Sequence, residues 1–392
     1  MKKKKYLSLL PLAVFAIIVT IMIFSISGIA DKTKEATKYL AFGDSIAAGY
    51  GLEGYNDIQK TVPSDSYQAI VGQFLNTASI NYAVTGDDSE DLLKLLVSGN
   101  ADDDLNEADV ITLSIGSNDL LGPLLDIVKE TYGISDGVGG DTGYASLEEY
   151  FESLDMGSIL KLLDVTKGLA DKLKDNEVLH KKAQEFSDQF ENIIELLKDK
   201  APNAEIYVTN IYNPFREVNV LGEMAETYIQ EINQAFKDDS DKYMLIDVYT
   251  AFSKGNFVNV RFDLSDIKNI NLDPHPSKEG HAVIAGIIKD VMRTKHAPSV
   301  PSIKKLTSSK KNSITITLSC LSENSGYCIK YAASKNGSYK TLSNVSKDKA
   351  KIKSDVLKAG KTYYIKVQSY NEIKGVKYYS GYSKVKKIII KK

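Results

Sequence analysis

The stretch "YLAFGDSIAAGYG", Tyr39 to Gly51, decides how this chain is read. A short apolar run, Tyr39–Phe42, stops at Gly43-Asp44-Ser45, and small residues follow. The run reads as a strand, and Asp and Ser after it suit the start of a helix. Ser45 then has two readings, a reactive serine or one more polar residue at a turn. The triplet alone does not choose, so partners elsewhere must.

The same texture repeats along the chain. Candidate strands are Tyr39–Phe42, Ile80–Val84, Val110–Ile115, Ile206–Asn210 and Met244–Val248. Between them apolar residues recur at helical spacing, as in Ile70, Val71, Phe74 and Leu75, and again in Val283, Ile284, Ile287, Ile288, Val291 and Met292. Short apolar strands separated by helices predict an α/β fold with a parallel sheet covered on both faces. Reactive groups in such folds gather at the carboxyl ends of the strands. A long gap, Leu120 to Ala204, reads as a candidate lid or substrate wall. It opens on apolar residues and contains the run Gly137–Gly143, which no Gly-Lys-Ser/Thr closes into a phosphate loop.

At 392 residues the chain suits two or three domains, and 43% apolar with 26% charged residues is ordinary for a globular protein. Four lysines, Lys2–Lys5, precede an uncharged stretch from Tyr6 to Ala30, which is the export pattern. That stretch is long enough to span a bilayer, yet Gly28-Ile29-Ala30 makes an acceptable cleavage site. Residues 1–30 are thus a cleaved signal peptide or a retained anchor. The rest is expected to be extracytoplasmic, either secreted or tethered to the membrane.

The net charge of −2 hides a step, with −23 over residues 6–300 and +17 over residues 301–392. Such a step argues for two domains, 38–296 and 298–392, joined at His296-Ala297-Pro298-Ser299-Val300-Pro301. The second is strand-rich, with the alternating Ser313–Leu318, then Tyr327–Tyr331 and Thr362–Gln368, and reads as a small all-β sandwich. Its charge suits an anionic cell-wall polymer or a membrane surface, or serves solubility alone. No nucleic-acid partner is expected. The two cysteines, Cys320 and Cys328, lie close enough for a disulfide, and with four histidines they exclude a Cys/His zinc site.

Three stretches bear on Ser45. "NYAVTGDD" places Gly86 after a strand, "LSIGSND" places Gly116-Ser117-Asn118-Asp119 after another, and "NLDPHPSKEGHAVIAG" places Asp273 and His275 before the last helix. A serine hydroxyl needs an imidazole to take its proton, and a carboxylate to orient that imidazole. The oxyanion needs donors aimed at it, which the Ser45 N–H, the Gly86 N–H and the Asn118 amide would supply. His281 is the rival base, otherwise a packing residue. Asp119 is expected to fix its loop, and His180 and His296 to be solvated. Asp102-Asp103-Asp104 lacks calcium-loop spacing and reads as a solvated loop.

The four blocks, in this order, resemble those of the SGNH or GDSL hydrolases. Gly43-Asp44-Ser45-Ile46 matches the first block, Gly86 the second, Gly116-Ser117-Asn118-Asp119 the third and Asp273-Pro274-His275-Pro276 the last. The resemblance covers residues 38–295. It implies a three-layer α/β/α, flavodoxin-like fold, and ester hydrolysis through Ser45, His275 and Asp273 with no metal or organic cofactor. The substrate would be a lipid or other acyl ester, with an O-acetylated carbohydrate as the alternative. A third reading is a surface adhesion protein with secondary esterase activity. One departure stands out. The family's acid lies three residues before its histidine, where this chain has Leu272, and Asp273 is two before. A residue ahead of proline is extended, and extended i, i+2 side chains share a face, so Asp273 can still serve, or it is a turn-forming Asp-Pro. A nucleophile-elbow hydrolase fits poorly, because here the Asp and His lie close together at the far end from the serine. In the tail, "LKAGKTYYIKVQSYN" resembles the end of a fibronectin type III domain, which would make Tyr363 a tyrosine-corner residue.

Overall fold

The computed structural model describes residues 36–56, 58–132, 171–216, 219–238, 240–254, 257–262, 271 and 273–392. The expected export segment, residues 1–30, and the run Gly137–Gly143 lie outside them. Among the described residues no helix is long and apolar enough to cross a membrane.

Five parallel strands form the first sheet. They are β1 (Tyr39–Gly43), β2 (Ser79–Asn81), β3 (Val110–Ser114), β4 (Glu205–Thr209) and β5 (Met244–Ile246), in the order β2-β1-β3-β4-β5. Every residue of β1 and β3 is buried, as strands covered on both faces must be. The helices are α1 (Ser45–Ala48), α2 (Tyr67–Leu75), α3 (Ser89–Ser98), α4 (Asp102–Asn106), α5 (Ser117–Tyr132), α6 (Glu177–Lys200), α7 (Asn219–Asp238), α8 (Val248–Lys254) and α9 (Lys278–His296).

Alternation along each strand feeds two cores. Leu40, Phe42, Ile111, Leu113 and Val208 pack against α3 to α7. Tyr39, Val110, Tyr207 and Ile246 pack against α1, α2, α8 and α9. This is the three-layer α/β/α arrangement that the sequence predicts, with its topological switch between β1 and β3.

Three expectations are refined. β2 is shorter than Ile80–Val84, and just past it the Asn81 side chain accepts the Ala83 N–H at 3.0 Å. Tyr82 and Val84 still donate to Ala41 and Gly43, so the segment follows β1 to its end. The long gap before Ala204 is also smaller than it looked. Its last part is α6, whose Phe186, Phe190, Ile193, Ile194 and Leu197 are fully buried under the sheet. Finally, Asp102-Asp103-Asp104 open α4 instead of lying in a loop; Asp102 and Asp103 are exposed as expected, and Asp102 and Asp104 pair with Lys200 and Lys38.

Beyond α9 lie only antiparallel strands. These are β6 (Ser302–Thr307), β7 (Ser313–Ser319), β8 (Gly326–Ala332), β9 (Lys340–Val345), β10 (Lys349–Lys353), β11 (Thr362–Ile373), β12 (Val376–Tyr379) and β13 (Lys386–Ile389). One sheet runs β10-β7-β6 and the other β12-β11-β8-β9, with β13 beside β11. Ile314, Ile316, Ile329, Ile365 and Val367 fill the core between them. The Tyr363 hydroxyl donates to Val356 O at 2.6 Å and accepts the Lys358 N–H at 3.0 Å. Cys320 and Cys328 are free thiols, so the feasible disulfide is not formed.

The two regions are packed together in one compact unit, Thr37–Lys392. Val376 and Tyr378 are buried in the same core as Tyr39, Tyr207 and Ile288. Lys374 pairs with Asp109, and the Asn371 amide donates to His296 O at 2.9 Å. His296 is not solvated as expected, since its Nε2 lies 2.8 Å from Glu205. His180 stays partly exposed, and its Nδ1 lies 2.8 Å from the Glu231 carboxylate. Asp109 and Glu205 mark the amino ends of β3 and β4, so the β region docks opposite the strands' carboxyl ends.

Candidate active site

The site begins where β1 must stop. Gly43 has φ +132°, and a Cβ there would sit 1.9 Å from Ser114 O on β3. Only glycine allows that approach, after which the Asp44 N–H donates to Ser114 O at 3.0 Å. Asp44 then caps α1, its carboxylate accepting the Ile46 N–H at 2.9 Å. Ser45 is the first residue of that helix and is buried.

His275 arrives from the far end of the chain. Its Nε2 lies 2.8 Å from Ser45 Oγ, and its Nδ1 lies 2.6 Å from Asp273 Oδ1. The same Oδ1 accepts the His275 backbone N–H at 2.9 Å. The departure from the family spacing is thus accommodated, with Asp273 folded back onto the residue two places on. Arg261 Nη1 stands 2.7 Å from Asp273 Oδ2. Burial pushes the Asp273 carboxyl up, but hydrogen bonds from His275 and the charges of His275 and Arg261 outweigh it, so it is held below its ordinary range. The Tyr50 ring packs 4.7 Å from the imidazole, and the Tyr212 hydroxyl donates to Pro274 O at 2.6 Å.

Asn118 follows β3 by way of Gly116 and Ser117 and lines the same cleft as Ser45 and His275. One of its amide hydrogens goes to Asp87 O at 2.9 Å, which ties it to the turn containing Gly86. Gly86 stands at this end of the sheet but is outside the residues that line the cleft. Asp119 is turned away from Ser45. Its carboxylate accepts the Ser89 N–H at 3.1 Å and the Ser89 hydroxyl, at the start of α3. Burial pushes that carboxyl up to about 6 despite these bonds. Asp119 therefore anchors the start of α3 to the first turn of α5, beside Asn118.

His281, the rival base, is engaged with Tyr67 instead. It is fully buried on α9, and its Nδ1 accepts the Tyr67 N–H at 3.3 Å. Burial drives its pKa down to about 3, with the charges of His275 and Arg261 adding to the effect, so the ring is neutral.

Ser45, Asn118 and His275 open into a common cleft. Its walls are apolar, with Ile46, Leu120, Leu121, Leu124, Ile211, Phe215 and Ile229. Leu120, Leu121 and Leu124 come from the first turns of α5, so the opening of the long gap does serve as a wall. Gly133-Ile134-Ser135-Asp136-Gly137 matches the elbow pattern Gly-x-Ser-x-Gly as letters, but it follows helix α5, where that motif needs a strand.

Sequence reasoning missed Arg261, Tyr50 and Tyr212. A signal existed for the first. Arg216, Arg261 and Arg293 are the chain's three arginines among 49 basic residues. The two tyrosines carry no such mark, since the chain has 23.

The chain is 22% identical over 276 residues to the Uncharacterized protein YpmR of Bacillus subtilis (strain 168), covering 68% of this chain and 86% of that protein. Among solved structures it is similar to the lipase Lip_vut3 from a goat rumen metagenome, at 19% identity and TM-score 0.43 over 65% of this chain and 96% of that one. It is also similar to phospholipase A1 from Streptomyces albidoflavus NA297, at 16% identity and TM-score 0.43 over 65% of this chain and 99% of that one. The model of the GDSL-like Lipase/Acylhydrolase family matches residues 41–283. That match starts inside β1 and ends inside α9, so it takes in every block of the site, and the chain belongs to the GDSL-like lipase/acylhydrolase family of ester hydrolases.

Proposed function

We propose that this protein is an exported carboxylic-ester hydrolase that works through an acyl-enzyme on Ser45. The relay of Ser45 Oγ, His275 and Asp273, at 2.8 and 2.6 Å, carries this reading. Ser45 Oγ attacks the ester carbonyl carbon while its proton passes to His275 Nε2. The carbonyl electron pair moves to oxygen, and the oxyanion is held by the Ser45 and Gly86 N–H groups and the second Asn118 amide hydrogen. Collapse breaks the bond to the alcohol, which leaves with the proton from Nε2. Water then repeats the sequence and releases the acid. Asp273 keeps Nδ1 protonated, so that Nε2 is the nitrogen that accepts.

The apolar cleft favours the acyl chain of a lipid-like ester over an O-acetylated sugar, which needs polar walls. Export is supported by Lys2–Lys5 ahead of the apolar stretch Tyr6–Ala30. For the β region we propose a fibronectin type III module, supported by its strand pairing and by the Tyr363 bond to Val356 O. Its +17 charge suits an anionic polymer or a membrane surface, on the side away from the cleft.

Ser45→Ala tests the reading. Hydrolysis of a short aryl ester should fall by about 10⁴-fold or more, with circular dichroism unchanged. Wild-type turnover in that variant would refute it.

A further inference from the structure

The acid lies one residue nearer its histidine than the family pattern, and the structure holds it there with a single short segment. The Ser277 N–H donates to Asn259 O at 3.0 Å, Val260 bridges Pro276 in antiparallel fashion, and the Arg261 N–H donates to His275 O at 2.9 Å. The backbone of residue 261 therefore fixes the His275 peptide. Its side chain then turns onto Asp273 from the other side, Nη1 to Oδ2 at 2.7 Å. Residue 261 grips both members of the motif.

The grip answers a specific problem. An aspartate that accepts the N–H two residues on forms a local turn, and its carboxylate can rotate to serve only the backbone. Here Oδ1 must meet both the His275 N–H and Nδ1, at 2.9 and 2.6 Å. A cation beside Oδ2, paired by charge and not through a hydrogen bond, opposes that rotation. Arginine does so with a planar, permanently charged group, which lysine does not match. In a chain with three arginines among 49 basic residues, the choice at 261 is informative.

Room for the guanidinium comes from the opening stretch of the sequence. Gly51 has φ +75°, and a Cβ there would lie 1.4 Å from Arg261 Nη1. A side chain at 51 and the guanidinium cannot both occupy that space. The neighbouring Tyr50 meanwhile packs its ring, tilted at 45°, against the imidazole.

We propose that Arg261, acting through Asp273, is the positioning residue that keeps the His275 imidazole in line with Ser45, and that Gly51 is the slot admitting its guanidinium. This rests on Ser45 and His275 being the reacting pair. The titratable and charged groups around the imidazole are Asp273 and Arg261, Asp44 beside Ser45 in the chain, Tyr50, Tyr212 and the neutral His281. Among the described residues, Arg261 is the cation of this group.

The test uses the full chain and the variants Arg261→Gln, Arg261→Lys and Gly51→Ala. Turnover of a short aryl ester is expressed per Ser45 labelled by a fluorophosphonate, so that misfolded protein does not count. Arg261→Gln should lower kcat about tenfold to a hundredfold with KM within about twofold, because the short ester does not touch residue 261. It should also move the acid limb of kcat/KM to higher pH, since removing a cation favours the imidazolium. Arg261→Lys should restore the limb and part of kcat. Gly51→Ala should resemble Arg261→Gln, and the double variant should be no worse than either single one. A kcat per labelled site and an acid limb that both stay at wild-type values in Arg261→Gln would overturn the proposal. If Ser45→Ala also remained active, the underlying reading would fail with it; an inactive Ser45→Ala would leave that reading standing.

Discussion

Tyr378 of β12 packs its ring 4.7 Å from that of His296, the last residue of α9. It also meets Phe74 of α2 at 5.8 Å edge to face, and it is 5% exposed. A tyrosine of the β region thus completes a core of the hydrolase region. Tyr378→Ala should cost about 3–5 kcal/mol, as large aromatic truncations in cores do. The neighbouring Lys374–Asp109 pair is partly exposed, and Lys374→Ala should cost under about 1 kcal/mol. Thermal unfolding of the two variants checks both numbers. Equal midpoints for Tyr378→Ala and wild type would mean that the docking contributes nothing.

The site was largely legible in the sequence because each block carries a residue type that its chemistry requires. Gly43 is forced by contact with Ser114, Ser45 by reactivity, and His275 by its proton. The docking was not legible. The strand around Tyr378 alternates like any half-exposed strand, and nothing local says that a second domain covers one face. The His296–Glu205 pair is hidden for the same reason, since Glu205 is distant in sequence and contiguous only once β4 and α9 are packed. α6 reads as part of an insertion because residues 115–176 separate it from β3, although it is a sheet-covering helix of the crossover to β4.

His281 gives the fold a defined acid sensitivity. Its pKa of about 3 in the folded protein lies below the ordinary value of 6.5. The unfolded chain therefore binds the extra proton between these values, and stability is lost as pH falls from about 6.5 toward 3. His281→Phe removes that proton uptake while keeping a ring in the space. The variant should be less stable than wild type at pH 7, having lost the acceptor for the Tyr67 N–H. The gap should close by about 3 kcal/mol between pH 7 and pH 4. Urea unfolding of both proteins across that range measures it. Parallel stability curves would show that His281 does not titrate on unfolding.

Leu121 offers control of acyl length. It is partly exposed on α5 and lines the cleft beside the fully buried Leu124. Each methylene that enters an apolar cleft is worth about 0.8 kcal/mol, or about fourfold in kcat/KM. Wild-type kcat/KM should therefore climb with acyl length until the cleft is full. Leu121→Trp adds bulk at the wall without disturbing a buried position. It should leave an acetyl ester within about twofold of wild type, and should end the climb at a shorter chain, costing long-chain esters about tenfold or more. A matched series of aryl esters of increasing acyl length provides the measurement. A uniform loss across the series would place the acyl chain elsewhere, and a flat wild-type profile would do the same.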